Sequence, residues 1–325
     1  MTVRIHDVAQ AAGVSVTTVS RVLSDRGSVA EATRQKVLTA AQKVGYSRST
    51  FLPRNDVRFI AVATPQDPEH WQLEVSRLVN AELQSQGILT MTPLIDSNLT
   101  SLKTSIQAGA GLVVTPTFTR LDVDVPVVRF DESSFVSAQT STNETIAAKL
   151  DLATGLSLAF EHLTDLGHRR IGLVCKDSGE LADLLASRFL AEHPMRNLGS
   201  VEDWIVRVSK SYSGGIHAAM RLKDAGGTAV IVQGQLQLFG VLDAIRKRGL
   251  TVPRDMSVVG IGDSLTTQYT GPPATVLALD SAAMAQALAA ATRSVLHIPG
   301  EKMKTVPPNF RPKLIARGST SAGRA

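Results

Sequence analysis

The chain has 325 residues, 43% of them hydrophobic and 19% charged, enough length for two or three domains with sizeable apolar interiors. No apolar run approaches the roughly eighteen residues of a membrane span, and a single cysteine, Cys175, excludes a disulfide framework. The formal net charge of +5 is concentrated at the start: residues 1–58 hold nine Lys/Arg against four acids, and the remainder is balanced. A basic head on a neutral body suits a polyanionic partner.

The opening stretch Met1-Thr-Val-Arg-Ile-His-Asp7 lacks the apolar core of a secretory signal, so a cytoplasmic setting is expected. Val8, Ala9 and Ala12 then share one helical face, and Gly13 supplies the backbone freedom to end that helix in a tight turn anchored by Val14. Ser15 is placed to cap a second helix, Val16 to about Leu23, with Val19, Val22 and Leu23 inward and Val16, Thr17, Ser20 and Arg21 outward. A third helix, Glu31 to Val44, is expected to bury Val37, Leu38, Ala41 and Val44 and to end at Gly45. Together these make a compact three-helix head over residues 1–46.

The string Asp7-Val-Ala-x-x-Ala-Gly-Val-Ser-Val-x-Thr-Val-Ser-Arg-Val-Leu23, followed by Thr33-Arg34, Val37-Leu38 and Gly45-Tyr46, resembles the helix-turn-helix headpiece of the lactose-repressor (LacI) family. In that motif the second helix enters the major groove and its first residues meet base edges. The resemblance implies Val16, Thr17 and Arg21 as readers of double-stranded operator DNA, with Ser15, Thr18 and Ser20 near the phosphates. Arg21 suits a bidentate pair with guanine, whereas Val16 offers apolar contact to a thymine methyl. Two departures stand out. Arg4 replaces the usual Thr ahead of the first helix, a cation suited to phosphate, and Ala30-Glu31 replaces the usual Ser-Pro before the third.

Residues 47–58 are polar, basic and interrupted by Pro53, which reads as a linker or a degenerate hinge. Family hinge helices push apolar side chains into the minor groove. Phe51 and Leu52 are the candidate wedge here, and a linker that only positions two apolar residues on the domain surface is an equal reading.

From residue 59 to 325 short apolar runs alternate with amphipathic helical patterns. Strands are expected near 59–63, 89–92, 111–115, 127–130, 171–175, 205–208, 229–232 and 257–261. Helices are expected near 69–86, 151–166, 180–192, 214–225, 236–248 and 281–296. The alternation argues for an α/β body of parallel sheets in two lobes, with ligands beyond the carboxyl ends of the strands. His162-Leu163, Leu166-Gly-His-Arg-Arg-Ile171, Gly249-Leu-x-Val-Pro-x-Asp-Met-Ser-Val-Val-Gly260 and Pro312 to Thr320 are similar to the family's effector-binding and dimerisation core, itself similar to periplasmic sugar-binding proteins. The resemblance implies a homodimer, a small-molecule effector between the lobes, and chain crossings near 132–151, 264–280 and the C-terminus.

The pocket departs from that pattern. Ala182 stands where sugar binders of the family usually have Arg, Gly234-Gln235 where they have Asn-Asp, and Gly262 where they have Asp. The remaining candidates are Asp67, His70, Trp71, Asp131, Tyr212, Gln235 and Asp263, with Trp71 as a stacking platform.

Enzyme readings lack residues to carry them. There is no His-Glu-x-x-His pattern, phosphate-cradling loop or nucleophile elbow, and Gly260-Ile-Gly262 is too short for a dinucleotide fingerprint. No cofactor or metal is expected, and no membrane contact. Three readings stand. The first is a cytoplasmic, nucleoid-associated repressor switched by a small molecule. The second is a DNA-binding regulator with a degenerate pocket and no sugar effector, and the third is a small-molecule binding protein with a vestigial head.

Overall fold

The computed structural model describes residues 5–23, 29–44, 58–132, 143–192, 201–296 and 306–323. In the head, α1 (Ile5–Ala12), α2 (Val16–Leu23) and α3 (Glu31–Lys43) enclose a core of Val8, Ala12, Val19, Val22, Val37 and Ala41. Gly13 makes the turn at φ 64°, where an L side chain is disfavoured, and Val14 N–H donates back to the Ala9 carbonyl at 3.1 Å. One expectation fails on α3. Leu38 is exposed, and the buried positions are instead Val37, Ala40 and Ala41, an inward stripe shifted around the helix. Arg4, the linker residues Phe51 and Leu52, the Gly45 cap and the Leu23 side chain lie outside the described residues.

The first lobe begins with β1 (Phe59–Val62), β2 (Thr64–Pro65), α4 (His70–Ser85), β3 (Thr90–Met91), β4 (Leu94–Ile95) and α5 (Thr100–Gln107). It continues with β5 (Ala110–Thr115), β6 (Val127–Glu132) and β7 (Glu144–Leu150). Its main sheet runs β13-β7-β6-β5-β1-β3, where β13 (Asn309–Phe310) arrives from near the end of the chain, and all its pairings are parallel. β2 and β4 form a separate two-stranded pair. β7 corrects the expectation of a chain crossing over 132–151, because Glu144–Leu150 adds a parallel strand beside β6. The crossing itself follows at residue 151.

The second lobe opens with α6 (Leu152–Asp165), β8 (Ile171–Lys176), α7 (Glu180–Glu192), a 3-10 turn at Val201–Trp204 and β9 (Ile205–Val208). It continues with α8 (Tyr212–Asp224), β10 (Ala229–Val232), α9 (Gln235–Lys247), β11 (Ser257–Ile261), the short α10 (Leu265–Gln268) and β12 (Thr275–Ala278). The chain then returns to the first lobe as α11 (Ser281–Val295), adds β13, and ends in the second with β14 (Lys313–Ile315). The second sheet is β14-β12-β11-β10-β8-β9, parallel except for the antiparallel β14. The central strands of apolar, largely β-branched residues, such as β1, β5, β6, β8 and β10, are buried along nearly their whole length, as strands of a parallel sheet covered on both faces are. The second lobe has a core that includes Phe189, Ile231 and Val259, and the first lobe has one on each face of its sheet, Trp71, Phe130 and Leu288 in one and Phe59, Leu102 and Val113 in the other.

The last described segment is pinned by histidines. His168, 3% exposed, contacts Thr228 Oγ1 through Nδ1 at 3.0 Å, and through Nε2 both Ser257 Oγ at 2.9 Å and the Ser321 carbonyl at 3.0 Å. His162 Nε2 meets Thr320 Oγ1 at 2.9 Å. Burial pushes both imidazoles below their ordinary value, the Ser321 carbonyl acting in the opposite direction on His168. A histidine held neutral in the folded chain takes up its proton more readily when unfolded. Its stabilisation is therefore present above about pH 6.5, the unfolded value, and is lost as pH falls below it. Urea unfolding at pH 7.5 and 5.5 is expected to show lower stability at pH 5.5, with the difference reduced in His168→Gln; an unchanged difference would remove His168 as its source.

Candidate functional site

In the head, α2 presents an exposed polar face. Ser15 caps α2 as its residue type suggests, its Oγ accepting from Thr18 N–H at 3.1 Å and sharing a 2.8 Å hydrogen bond with Thr18 Oγ1. Thr17, Ser20 and Arg21 are exposed on that helix and Thr18 is half-buried. Val16 differs from its expected outward position: it is half-buried against the head core, with only part of its surface left to meet a partner. α2 is thereby fixed by Val19 and Val22 beneath and by Ser15 at its start.

The body offers the cleft between the lobes. A cavity of about 290 Å³ lies beyond the carboxyl ends of the central strands, with Asp67, Glu69, Thr119, Lys176, Glu180 and Gln233 among its lining. Of the seven residues expected there, Asp67 alone belongs to that lining. Trp71 is 4% exposed and packs in the first lobe's core with Val75 and Val79, so it is no stacking platform. His70 opens α4 with its Nδ1 buried and no hydrogen bond to it among the described residues. Asp131 is buried 3.6 Å from Arg129 Nη1, an interior ion pair. Tyr212 donates its hydroxyl to Asp243 on the flank of the second lobe, and Gln235 donates to Ser264 and Thr266.

Asp263 is engaged structurally. Its two oxygens accept from Arg317 Nη1 at 2.9 Å and Nη2 at 2.6 Å, and Oδ1 also accepts from Thr267 Oγ1 at 2.8 Å. Burial pushes its carboxyl up, but these donors more than offset that and leave it below the usual carboxylate range.

Across the cleft the lobes meet through polar side chains that sequence reasoning missed. Lys176 Nζ pairs with Asp67 Oδ2 at 2.6 Å, and Lys210 Nζ stands 3.2 Å from Asp67 Oδ1 and 3.6 Å from Glu69 Oε1. Gln233 Nε2 donates to Glu69 Oε1 at 2.9 Å while its Oε1 accepts from Lys176 N–H at 3.0 Å. Thr119 Oγ1 donates to Glu180 Oε2 at 2.7 Å. Burial pushes the Glu69 carboxyl above its ordinary value, with Lys210 and Gln233 pulling it back. Burial acts the same way on Asp67, yet its two lysines leave it lowered. The discoverable signal was position. Lys176, Gln233 and Lys210 directly follow or end β8, β10 and β9, where ligand-side groups of a parallel sheet belong.

Residues 4–49 match the family model described as bacterial regulatory proteins, lacI family, and residues 160–320 match a periplasmic binding protein-like domain. The HTH-type transcriptional regulator reg1 of Streptomyces lividans is 31% identical over 345 residues, covering 99% of this chain and 98% of the relative. The HTH-type transcriptional repressor CytR of Escherichia coli (strain K12) is 29% identical over 296 residues, 84% of each chain. Among solved structures, the lac repressor dimer bound to operator and the anti-inducer ONPF aligns over 99% of this chain and 100% of its own, at 24% identity and TM-score 0.62. A CelR–cellobiose complex aligns over 98% and 100%, at 22% identity and TM-score 0.62. These two share the fold.

Removing the Asp263 carboxylate should expose its role. Asp263→Ala leaves the largely buried Arg317 guanidinium without its carboxylate and is expected to cost about 2 kcal/mol, read as a lower urea midpoint. An unchanged midpoint would mean that Asp263 is not a structural anchor.

Proposed function

The chain belongs to the lacI family of bacterial regulatory proteins, and from that premise we propose a transcriptional repressor whose homodimer reads a pseudo-palindromic operator through α2. The observation that carries the reading is the Ser15-capped α2, held on its own core by Val19 and Val22 and presenting Thr17, Ser20 and Arg21 to solvent. Arg21 is the base reader, Thr17 and the accessible part of Val16 flank it, and Ser15, Thr18 and Ser20 serve the backbone phosphates together with Arg4. Phe51 and Leu52 are assigned as the minor-groove wedge between head and body.

Two-fold pairing follows from the operator geometry that such heads use, two half-sites read by two copies. The lac repressor dimer on its operator supports this arrangement by likeness. The excess positive charge of residues 1–58 supplies the sequence-independent attraction to DNA. A small molecule in the inter-lobe cleft biases the placement of the two heads to the extent that it binds one lobe arrangement more tightly. The domain division that goes with this is 1–46 for the head, 47–58 for the linker and 59–325 for the body. Among the described residues no helix is long and apolar enough to cross a membrane.

Binding measured against salt is expected to weaken with a log-log slope of about −0.9 per phosphate contacted, and a flat response would contradict the operator reading. Arg21→Ala is expected to lose about 1 to 3 kcal/mol of discrimination between operator and random duplex. An equal loss on both duplexes would take base reading away from Arg21.

A further inference from the structure

Lys210 occupies a socket built for an ammonium group. Its Nζ donates to the carbonyls of Asp67, at 3.2 Å, and Pro68, and lies 3.2 Å from Asp67 Oδ1 and 3.6 Å from Glu69 Oε1. Two carbonyls and two carboxylates meet the three N–H donors of the ammonium from several sides, and the side chain keeps only 9% of its exposure. All four acceptors belong to the loop before α4 in the first lobe, whereas Lys210 belongs to the second. The set of bonds therefore spans the cleft.

The second lobe is shaped to deliver that lysine. Gln237, fully buried in α9, donates through Nε2 to the carbonyls of Val208 and Ser209 at 3.2 Å each, fixing the chain just before Lys210. Gln237 Oε1 accepts from Gly234 N–H at 3.0 Å. A Cβ on Gly234 would lie 2.8 Å from both Gln237 Oε1 and Lys210 Cγ, so a larger residue there displaces the lysine stem, the glutamine that fixes the chain before it, or both.

We infer that Lys210 is a tethered ligand, which holds the lobes closed from within, and that the small molecule able to displace it is a primary ammonium compound. The carboxylates that line the cleft already have partners: Asp67 in Lys176 and Lys210, Glu69 in Gln233 and Lys210, Glu180 in Thr119, and Asp96 in the N–H groups of Asn98 and Thr100. A ligand ammonium can replace Lys210 at its acceptors one for one. This deepens the effector reading and rests on it only in taking lobe closure as the motion that a cleft ligand governs.

The test uses the full-length chain with spin labels on Ala81→Cys in α4 and Ala225→Cys after α8. Both positions are exposed, and native Cys175 is buried. The inter-lobe distance distribution is expected to be narrow in the parent and to lengthen and broaden in Lys210→Ala, in Lys210→Met and in Gly234→Ala. Propylammonium, which takes the first-lobe acceptors from Lys210 without a tether to the second lobe, is expected to lengthen the distance in the parent, and tetramethylammonium, which has no N–H to donate, is not. A parent-like distribution in all three variants overturns the latch. A closed Lys210→Met alone assigns closure to the stem rather than the charge and overturns the tethered ammonium. Equal effects of the two ammonium ions overturn the proposed ligand class. Salt-dependent operator binding, measured on the same labelled parent, scores the regulator reading separately, since it does not depend on the inter-lobe distance.

Discussion

Everything in the body depends on how three chain crossings are tied together at one side of the lobes. Asp151 caps α6 by accepting from Thr154 N–H at 3.1 Å, and it also accepts from Arg311 Nε at 3.0 Å. Its own N–H donates to the Phe310 carbonyl at 2.8 Å. Pro312 packs so closely on α6 that a Cβ at Gly155 would lie 2.6 Å from its Cγ. The first outgoing crossing at 151 and the second at 311–312 are therefore a single bonded unit, while the return between them leads into α11, which packs its Met284 and Leu288 into the first lobe. Crossings tied at one side are the geometry of a hinge, about which two lobes can separate at the far edge of their cleft.

Opposite that hinge, closure relies on polar contact more than on a shared apolar core. Leu181, at the start of α7, is partly buried against both cores, but the remaining contacts across the cleft named above are ion pairs and side-chain hydrogen bonds. Exposed pairs of this kind contribute little individually, because water and salt compete for the same charges. Asp67, 44% exposed, is a weak anchor on that ground, whereas Lys210 and Glu69 are nearly shielded and lose their partners at a real desolvation cost. The strength of closure thus concentrates in the least exposed lysine. Asp96, which also lines the cleft, is occupied in a different way: its carboxylate accepts from the N–H groups of Asn98 and Thr100 at the start of α5.

The elements were legible wherever one periodicity dominated. β10 is an uninterrupted apolar run, α2 carries its inward stripe in eight residues directly after its Ser15 cap, and both stand where the pattern puts them. β7 was hidden because Glu144-Thr-Ile-Ala-Ala-Lys-Leu150 mixes charge into a strand that lies near the sheet edge, beside only the short β13. The cleft was hidden for another reason. Trp71 and Asp263 have the chemistry of ligand groups, but whether an indole faces a cavity or a core, and whether a carboxylate meets solvent or Arg317, depends on residues far away in the chain. The same distance effect concealed Lys210, whose acceptors lie more than 140 positions earlier. Position at a strand end predicted the neighbourhood but not the partner.

Head and cleft therefore place different demands on their residues. Recognition by α2 requires a rigid presentation, and a small core with a side-chain cap supplies it locally, within about thirty residues. Control requires two arrangements close in free energy, because a ligand shifts an equilibrium only by its differential affinity for the two states. A cleft shut by a deep apolar seam would be too one-sided for that role, and a cleft with unsatisfied carboxylates would stand open. Bonds that water can replace singly, gathered around one shielded ammonium, lie between those limits. Under the proposed control by a cleft ligand, that balance assigns its specificity to the residues spanning the cleft as well as to the cavity walls.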